Sequence, residues 1–280
     1  MRLSNLSRPF VCAVIAEPDI NACIKQIDYL ENSGDVDAFE IDTPQLPAES
    51  LKDVFSSTNR PCIANCRRAE FMKLYGYESL PLLTSEQRAM KLTKALSAGA
   101  STIDFELDLF DEQPITSYTE IDDQRKSKRA RGLEISMKPN TVRRQMEFAT
   151  QVKEMGGEVI ISCHSQNRIR RKIILQIADS IESRCPDFAK IVTVTTNSQD
   201  LITFTNAVLK LKARTQIPFS LLNMGYQSIL GRLLSVTFGS SWIYCRPNSV
   251  YSYMGQPSIR QARIFLKEYF NQTTTSITTA

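Results

Sequence analysis

The chain of 280 residues has one histidine, one tryptophan and ten glycines, and it has no apolar run approaching the length of a membrane crossing. Each scarcity removes a class of function. A spanning helix needs roughly 18 or more consecutive apolar residues, so no membrane partner is expected. The glycines do not form GxGxxG, which leaves a dinucleotide site without support. Cys62 and Cys66 have neither the spacing of a zinc knuckle nor a second pair to complete four ligands, so no metal site is expected. The cysteines number seven, an odd count, and Cys12, Cys62, Cys66, Cys163 and Cys245 sit in apolar runs, which points to reduced thiols in a cytoplasm. The first apolar run ends at Glu17-Pro18-Asp19 without a small-residue cleavage site and reads as a strand, not a signal peptide. Net charge is only +4, and five of the basic residues cluster between Arg125 and Arg131. No aromatic residues interleave with that cluster, so it reads as a solvated loop with no nucleic-acid partner.

What the sequence does have is alternation. Short β-rich apolar runs begin at Phe10, Asp37, Pro61, Ser101, Glu158, Phe188, Ile217 and Ser240, and each is followed by a helical pattern. In the first helix Ile20, Cys23, Ile24, Ile27 and Leu30 recur at three- and four-residue steps, with Asp19 as N-cap and Gly34 as stop. Ile169, Ile173, Ile177 and Ile181 line a later one, and Ile259, Ala262, Leu266 and Phe270 the last. Strands apolar on both faces imply a parallel sheet, and eight β/α units imply one (β/α)8 barrel, with a doubly wound sheet as the other fold considered. The domain is expected to span residues 1–272, with an insertion over the active face at 111–140 after the fourth strand and a frayed tail at 273–280.

In such a barrel, chemistry sits at the C-terminal strand ends, so charged residues inside apolar runs stand out. Glu40 and Asp42 share one side of their strand, as do Asp104 and Glu106. Lys190 lies among Phe188, Ala189, Ile191 and Val192. A buried ammonium is either paired or driven towards its neutral, nucleophilic form, which can attack a ketone to give a Schiff base. His164, the lone histidine, closes its strand and is suited to carry protons beside an iminium.

The pieces FEID, IANCRR, AGASTIDFELD, GGEVIISCH, DFAKIV, IPFSLLNMG, GRLLSVTFGSS and YSYMGQP, in that order, resemble the type I 3-dehydroquinate dehydratases, the Schiff-base dehydroquinases of the shikimate pathway. The resemblance implies a cofactor-free lyase that converts 3-dehydroquinate to 3-dehydroshikimate. Lys190 falls on the family's imine-forming lysine and His164 on its proton-transfer histidine. Glu40, Asp104 and Glu106 fall on its acidic positions, Arg67 on the arginine after the third strand and Arg232 on the carboxylate-binding arginine. Ser252 and Gln256 fall on the ligand-binding pair of the last loop. Paired barrels in the family make a homodimer the implied assembly.

Two departures follow from the same comparison. Asp42 stands where the family usually has arginine and is expected to pair with Arg67. The usual Glu-Gly-Gly after the third-strand arginine is missing, and Glu70, shifted by one, is expected to orient His164. The alternatives are imine chemistry on another β-hydroxy ketone, as lyase or aldolase, and a catalytically silent ligand-binding barrel.

Overall fold

The computed structural model describes residues 1–17, 19–69, 80–111, 133–247 and 255–272. The strands are β1 (Phe10–Ile15), β2 (Ala38–Asp42), β3 (Cys62–Asn65), β4 (Thr102–Glu106), β5 (Glu158–His164), β6 (Phe188–Thr195), β7 (Phe219–Gly225) and β8 (Trp242–Cys245). Each is followed by a helix of the same number: α1 (Ile20–Ser33), α2 (Leu51–Phe55), α3 (Ser85–Ser97), α4 (Pro139–Glu154), α5 (Arg171–Glu182), α6 (Ser198–Arg214), α7 (Ser228–Phe238) and α8 (Ile259–Gln272). The eight expected strands are all present, and every neighbouring pair from β8 through β1 to β7 is parallel. The ring closes between β7 and β8, where the Ser241 N–H donates to the Phe219 carbonyl (2.7 Å) and the Ser220 hydroxyl to the Trp242 carbonyl (3.0 Å). The fold is a TIM barrel, as the alternation implied.

Local signals in the sequence appear as cap geometry. The Asp19 carboxylate accepts the Ala22 N–H at 2.9 Å, and Gly34 ends α1 at φ 69°, where a side chain would be strained. Ile169 is buried but precedes α5, which begins two residues later, so its part in that apolar face is played from the loop. The middle of the expected insertion, 112–132 with its basic cluster, lies outside the described residues, as does the tail from 273. Among the described residues no helix is long and apolar enough to cross a membrane.

Period-two alternation divides the apolar side chains into two cores. Val11, Ala13, Phe39, Ile41, Ile103, Phe105, Val159 and Ile161 face the helices. Phe10, Cys12, Val14, Ile63, Ile160, Phe188, Trp242 and Tyr244 fill the barrel interior. Trp242 forms the floor of that interior, stacked on Phe10 at 5.8 Å and edge-on to Phe188 (5.9 Å) and Tyr244 (6.1 Å). Below it a short turn, Leu3–Asn5, closes the N-terminal end: Glu158 accepts the backbone N–H of Leu3 (2.8 Å) and of Ser4 (3.2 Å). Glu158→Ala would leave the buried Leu3 N–H unmet and should cost about 1–3 kcal/mol in denaturant unfolding. Because Glu158 begins its strand while the charged cluster lies towards the strand ends, kcat should be unchanged.

The register sets what meets at the other end. Asn65 is beside Asp104, Glu106 beside Ser162, and Ser162 beside Lys190. The inward positions of β2 to β6 therefore turn polar together in the layers above the aromatic floor.

Candidate active site

Lys190 is 3% exposed, and its ammonium donates to Glu40 Oε2 and Asp104 Oδ2, both at 2.8 Å. The same nitrogen lies 4.2 Å from the ring centre of Tyr244, a cation–π contact. Of the two outcomes expected for a buried lysine, pairing is the one realised, with carboxylates from two different strands. Burial opposes the charge on Asp104, but Lys190 and Arg67 outweigh it and hold the carboxyl below its usual range. Burial, with the nearby Glu40 and Cys12, pushes the Tyr244 phenol well up, so the ring stays neutral.

Arg67 follows β3 and gathers the remaining charges. Its Nη2 lies 3.3 Å from Asp104, and its Nη1 lies 3.8 Å from Glu106 and 3.9 Å from Glu134. Nη1 is also 3.0 Å from His164 Nδ1. The expected Asp42–Arg67 pair is not formed. Asp42 instead accepts from the Asn65 amide at 2.5 Å, and the same amide reaches Glu40 at 3.1 Å, so Asn65 spaces two carboxylates that would otherwise repel. Glu106 is held by Arg88, whose Nε also donates to the Cys66 carbonyl at 2.7 Å.

His164 is buried, and its Nδ1 lies 2.6 Å from Glu134 Oε2. Burial is the main reason the imidazole resists protonation well below its ordinary range, and the positive charges of Arg67 and Lys190 add to it. Burial, reinforced by Glu106, pushes the Glu134 carboxyl up to about 8. Both directions place the shared proton on the carboxyl rather than in an ion pair.

Arg232 is buried on α7, where Nε donates to the Asn223 carbonyl at 3.1 Å and Nη1 has no partner among the described residues. Burial lowers it to about 10, and no carboxylate balances it among the described residues. It is a cation at neutral pH without a counter-ion among the described residues. The Gln256 carbonyl is likewise buried without a partner among the described residues. Lys190, Glu40, Asp104, Arg67, Glu106 and His164 thus lie in one connected cluster, and Arg232 and Gln256 are buried further along the chain. Glu70 and Ser252 lie outside the described residues.

The sequence reading missed Glu134, Arg88, Tyr244 and Asn65. Arg88 had a signal, since it lies four residues before Leu92 on the buried face of α3. Asn65 and Tyr244 had a weaker one, as polar groups on the inward alternation of β3 and β8. Glu134 had none.

A family model described as type I 3-dehydroquinase matches residues 132–273, just over half of the chain. No curated protein matches by sequence. Among solved structures, the type I 3-dehydroquinate dehydratase of Clostridium difficile, with covalently modified comenic acid, is similar at 17% identity and a TM-score of 0.76, covering 97% of this chain and 98% of that one. The 3-dehydroquinate dehydratase of Geobacillus kaustophilus is similar at 17% identity and a TM-score of 0.72, covering 98% and 97%. That of Enterococcus faecalis follows at 16% and 0.67, covering 96% and 99%.

Proposed function

Because this chain belongs to the type I 3-dehydroquinase family, we propose that its reaction, the dehydration of 3-dehydroquinate to 3-dehydroshikimate, runs through an imine on Lys190. The observation that carries the residue assignment is the double carboxylate pairing of one buried strand lysine. Lys190 must lose a proton before it attacks, and Glu40 and Asp104 are both at hydrogen-bond distance to take it. Addition to the C3 ketone gives a carbinolamine, and loss of water gives the protonated imine. Its positive charge replaces the ammonium between the carboxylates and over the Tyr244 ring, so the site is arranged for the intermediate with little reorganisation.

The imine draws electrons from C2 and acidifies its hydrogen. His164 Nδ1 faces Glu134 and Arg67, and Nε2 is the nitrogen proposed to take that proton and form the enamine. The enamine expels the C1 hydroxyl, to which His164 returns the proton, and water then hydrolyses the imine to release product and free Lys190. No metal or organic cofactor enters this balance.

Arg232 is proposed to bind the substrate carboxylate, and its lack of a counter-ion among the described residues supports this. Arg232→Met should raise KM for 3-dehydroquinate at least about 30-fold, the equivalent of about 2 kcal/mol for a buried charge-assisted contact, with a smaller effect on kcat. Asp42, Glu17, Gln45 and Arg67 line a cleft beside the site and are proposed to meet substrate hydroxyls. A reducing compartment such as the cytoplasm, and assembly as a homodimer, complete the proposal; seven free thiols support the first.

The deciding experiment is incubation with 3-dehydroquinate, followed by the absorbance of the conjugated product and by borohydride trapping. Turnover with an adduct on the Lys190 peptide is expected. Well-folded protein that gives neither product nor adduct would move the reading to another β-hydroxy ketone or to a silent barrel.

A further inference from the structure

We infer that Glu134, supplied by the return leg of the segment after β4, is a positioning residue that holds the one histidine by Nδ1 and so fixes the orientation of its ring in the barrel mouth. The inference rests on the dehydratase reading for its kinetics but not for its geometry. A single carboxylate oxygen of Glu134 meets both the His164 backbone N–H (3.1 Å) and Nδ1 (2.6 Å). Two contacts from one residue to one residue fix the ring plane as well as its distance.

The leg that carries Glu134 is held from several directions. Leu133 bridges Ser165, Ile135 bridges Leu107, and the Glu134 N–H donates to the His164 carbonyl at 3.0 Å. The Ser136 N–H donates to the Leu107 carbonyl at 2.9 Å, and its hydroxyl to Asp111 at 2.5 Å. Arg184, buried on the far side, donates to the Ser136 carbonyl at 2.7 Å. Residues 133–136 are therefore a fixed part of the barrel mouth, tied to β4, β5 and the end of α5. A carboxylate placed there by chance would not need backbone pairing to the residue it contacts.

The chemistry follows from who faces whom. Arg67 is always a donor, so at 3.0 Å it favours an unprotonated Nδ1, and the carboxyl at 2.6 Å then carries the proton. In that state Nε2 bears hydrogen and cannot serve as a base. Loss of one proton from the pair lets the Arg67 Nη1 donor pass from Nδ1 to the newly ionised Glu134 carboxylate, 3.9 Å away, which also accepts from Nδ1–H and leaves Nε2 unprotonated, with the carboxylate ready to balance the imidazolium. The charged groups facing the pair are Arg67, Lys190, Asp104 and Glu106 on the histidine side, and Arg67, Arg88, Glu106 and Asp108 on the carboxyl side. The Glu134 carboxyl is raised to about 8, so the pair keeps its proton below that pH and loses it above. Turnover should rise with pH through that range.

A single histidine makes the test direct, because protein labelled with 15N-histidine gives one imidazole signal. In the wild type the ring shifts should step near pH 8 and not near 6.5. In Glu134→Gln that step should vanish, since an amide cannot titrate. Its kcat should fall roughly 10- to 100-fold and become flat with pH, with KM within a few-fold, the usual scale for losing an orienting partner. Glu134→Asp should recover part of kcat and a displaced step. The assignment is overturned by a wild-type ring that titrates near 6.5, a readout that needs no variant to fold. It is overturned equally by a Glu134→Gln protein that keeps the wild-type step and kcat. Failure of the wild type to turn over 3-dehydroquinate would instead sink the dehydratase reading while leaving the ring titration to stand or fall alone.

Discussion

Lys190→Met should abolish turnover of 3-dehydroquinate, with a loss of roughly 10⁵-fold or more, the scale reached when a covalent nucleophile is removed. Methionine keeps the length and apolar stem of lysine but supplies neither nucleophile nor cation. Borohydride in the presence of substrate should then leave no adduct. A second effect comes with the first. Glu40 and Asp104 lose the ammonium they share at 2.8 Å each, and Asp104 keeps the 3.3 Å contact to Arg67. Breaking a buried pair from one side costs about 3–5 kcal/mol, so the variant should also unfold at lower denaturant. Circular dichroism at the assay temperature separates an inactive barrel from an unfolded one. A folded Lys190→Met protein that still turns substrate over would end the imine assignment.

His164→Ala should give the second largest loss, roughly 10²- to 10⁴-fold in kcat, the range for removing a general acid and base. Here the trapping result should differ. Imine formation uses Lys190 and its carboxylates, so borohydride should still label the Lys190 peptide even though C2 proton removal has stalled. Substrate would accumulate as adduct instead of passing to product. If the alanine variant ran at near wild-type rate, the imidazole would be a packing element of the barrel mouth and no more.

The barrel was legible because parallel strands buried on both faces read as uninterrupted apolar runs, and eight of them alternate with helical periodicity. Its charged centre was legible for the same reason: Lys190, Glu40 and Asp104 break apolar strands at inward positions, where bystander charges are costly. The partnering was less so. Which cation meets Asp42 depends on the side chain one strand over, and the neutral Asn65 amide took a role that charge counting had given to Arg67. Arg88 reads as one more charge on a charged helix until its place on the Leu92 face is weighed. Glu134 was out of reach altogether, because the leg that carries it belongs to no periodic element and reaches His164 through isolated bridges 30 residues away in sequence.

The floor of the barrel interior has an optical consequence. Trp242 is the only tryptophan, 1% exposed, and sits in contact with Tyr244, whose ring lies over Lys190. Its fluorescence should therefore be blue-shifted and should report the barrel interior alone, with no background from surface indoles. Imine formation one layer above, which converts the ammonium into a substrate-bearing iminium over the same aromatic stack, should change the emission of that single fluorophore. Stopped-flow mixing with 3-dehydroquinate could then time adduct formation from inside the protein, with no label and no change to the chain.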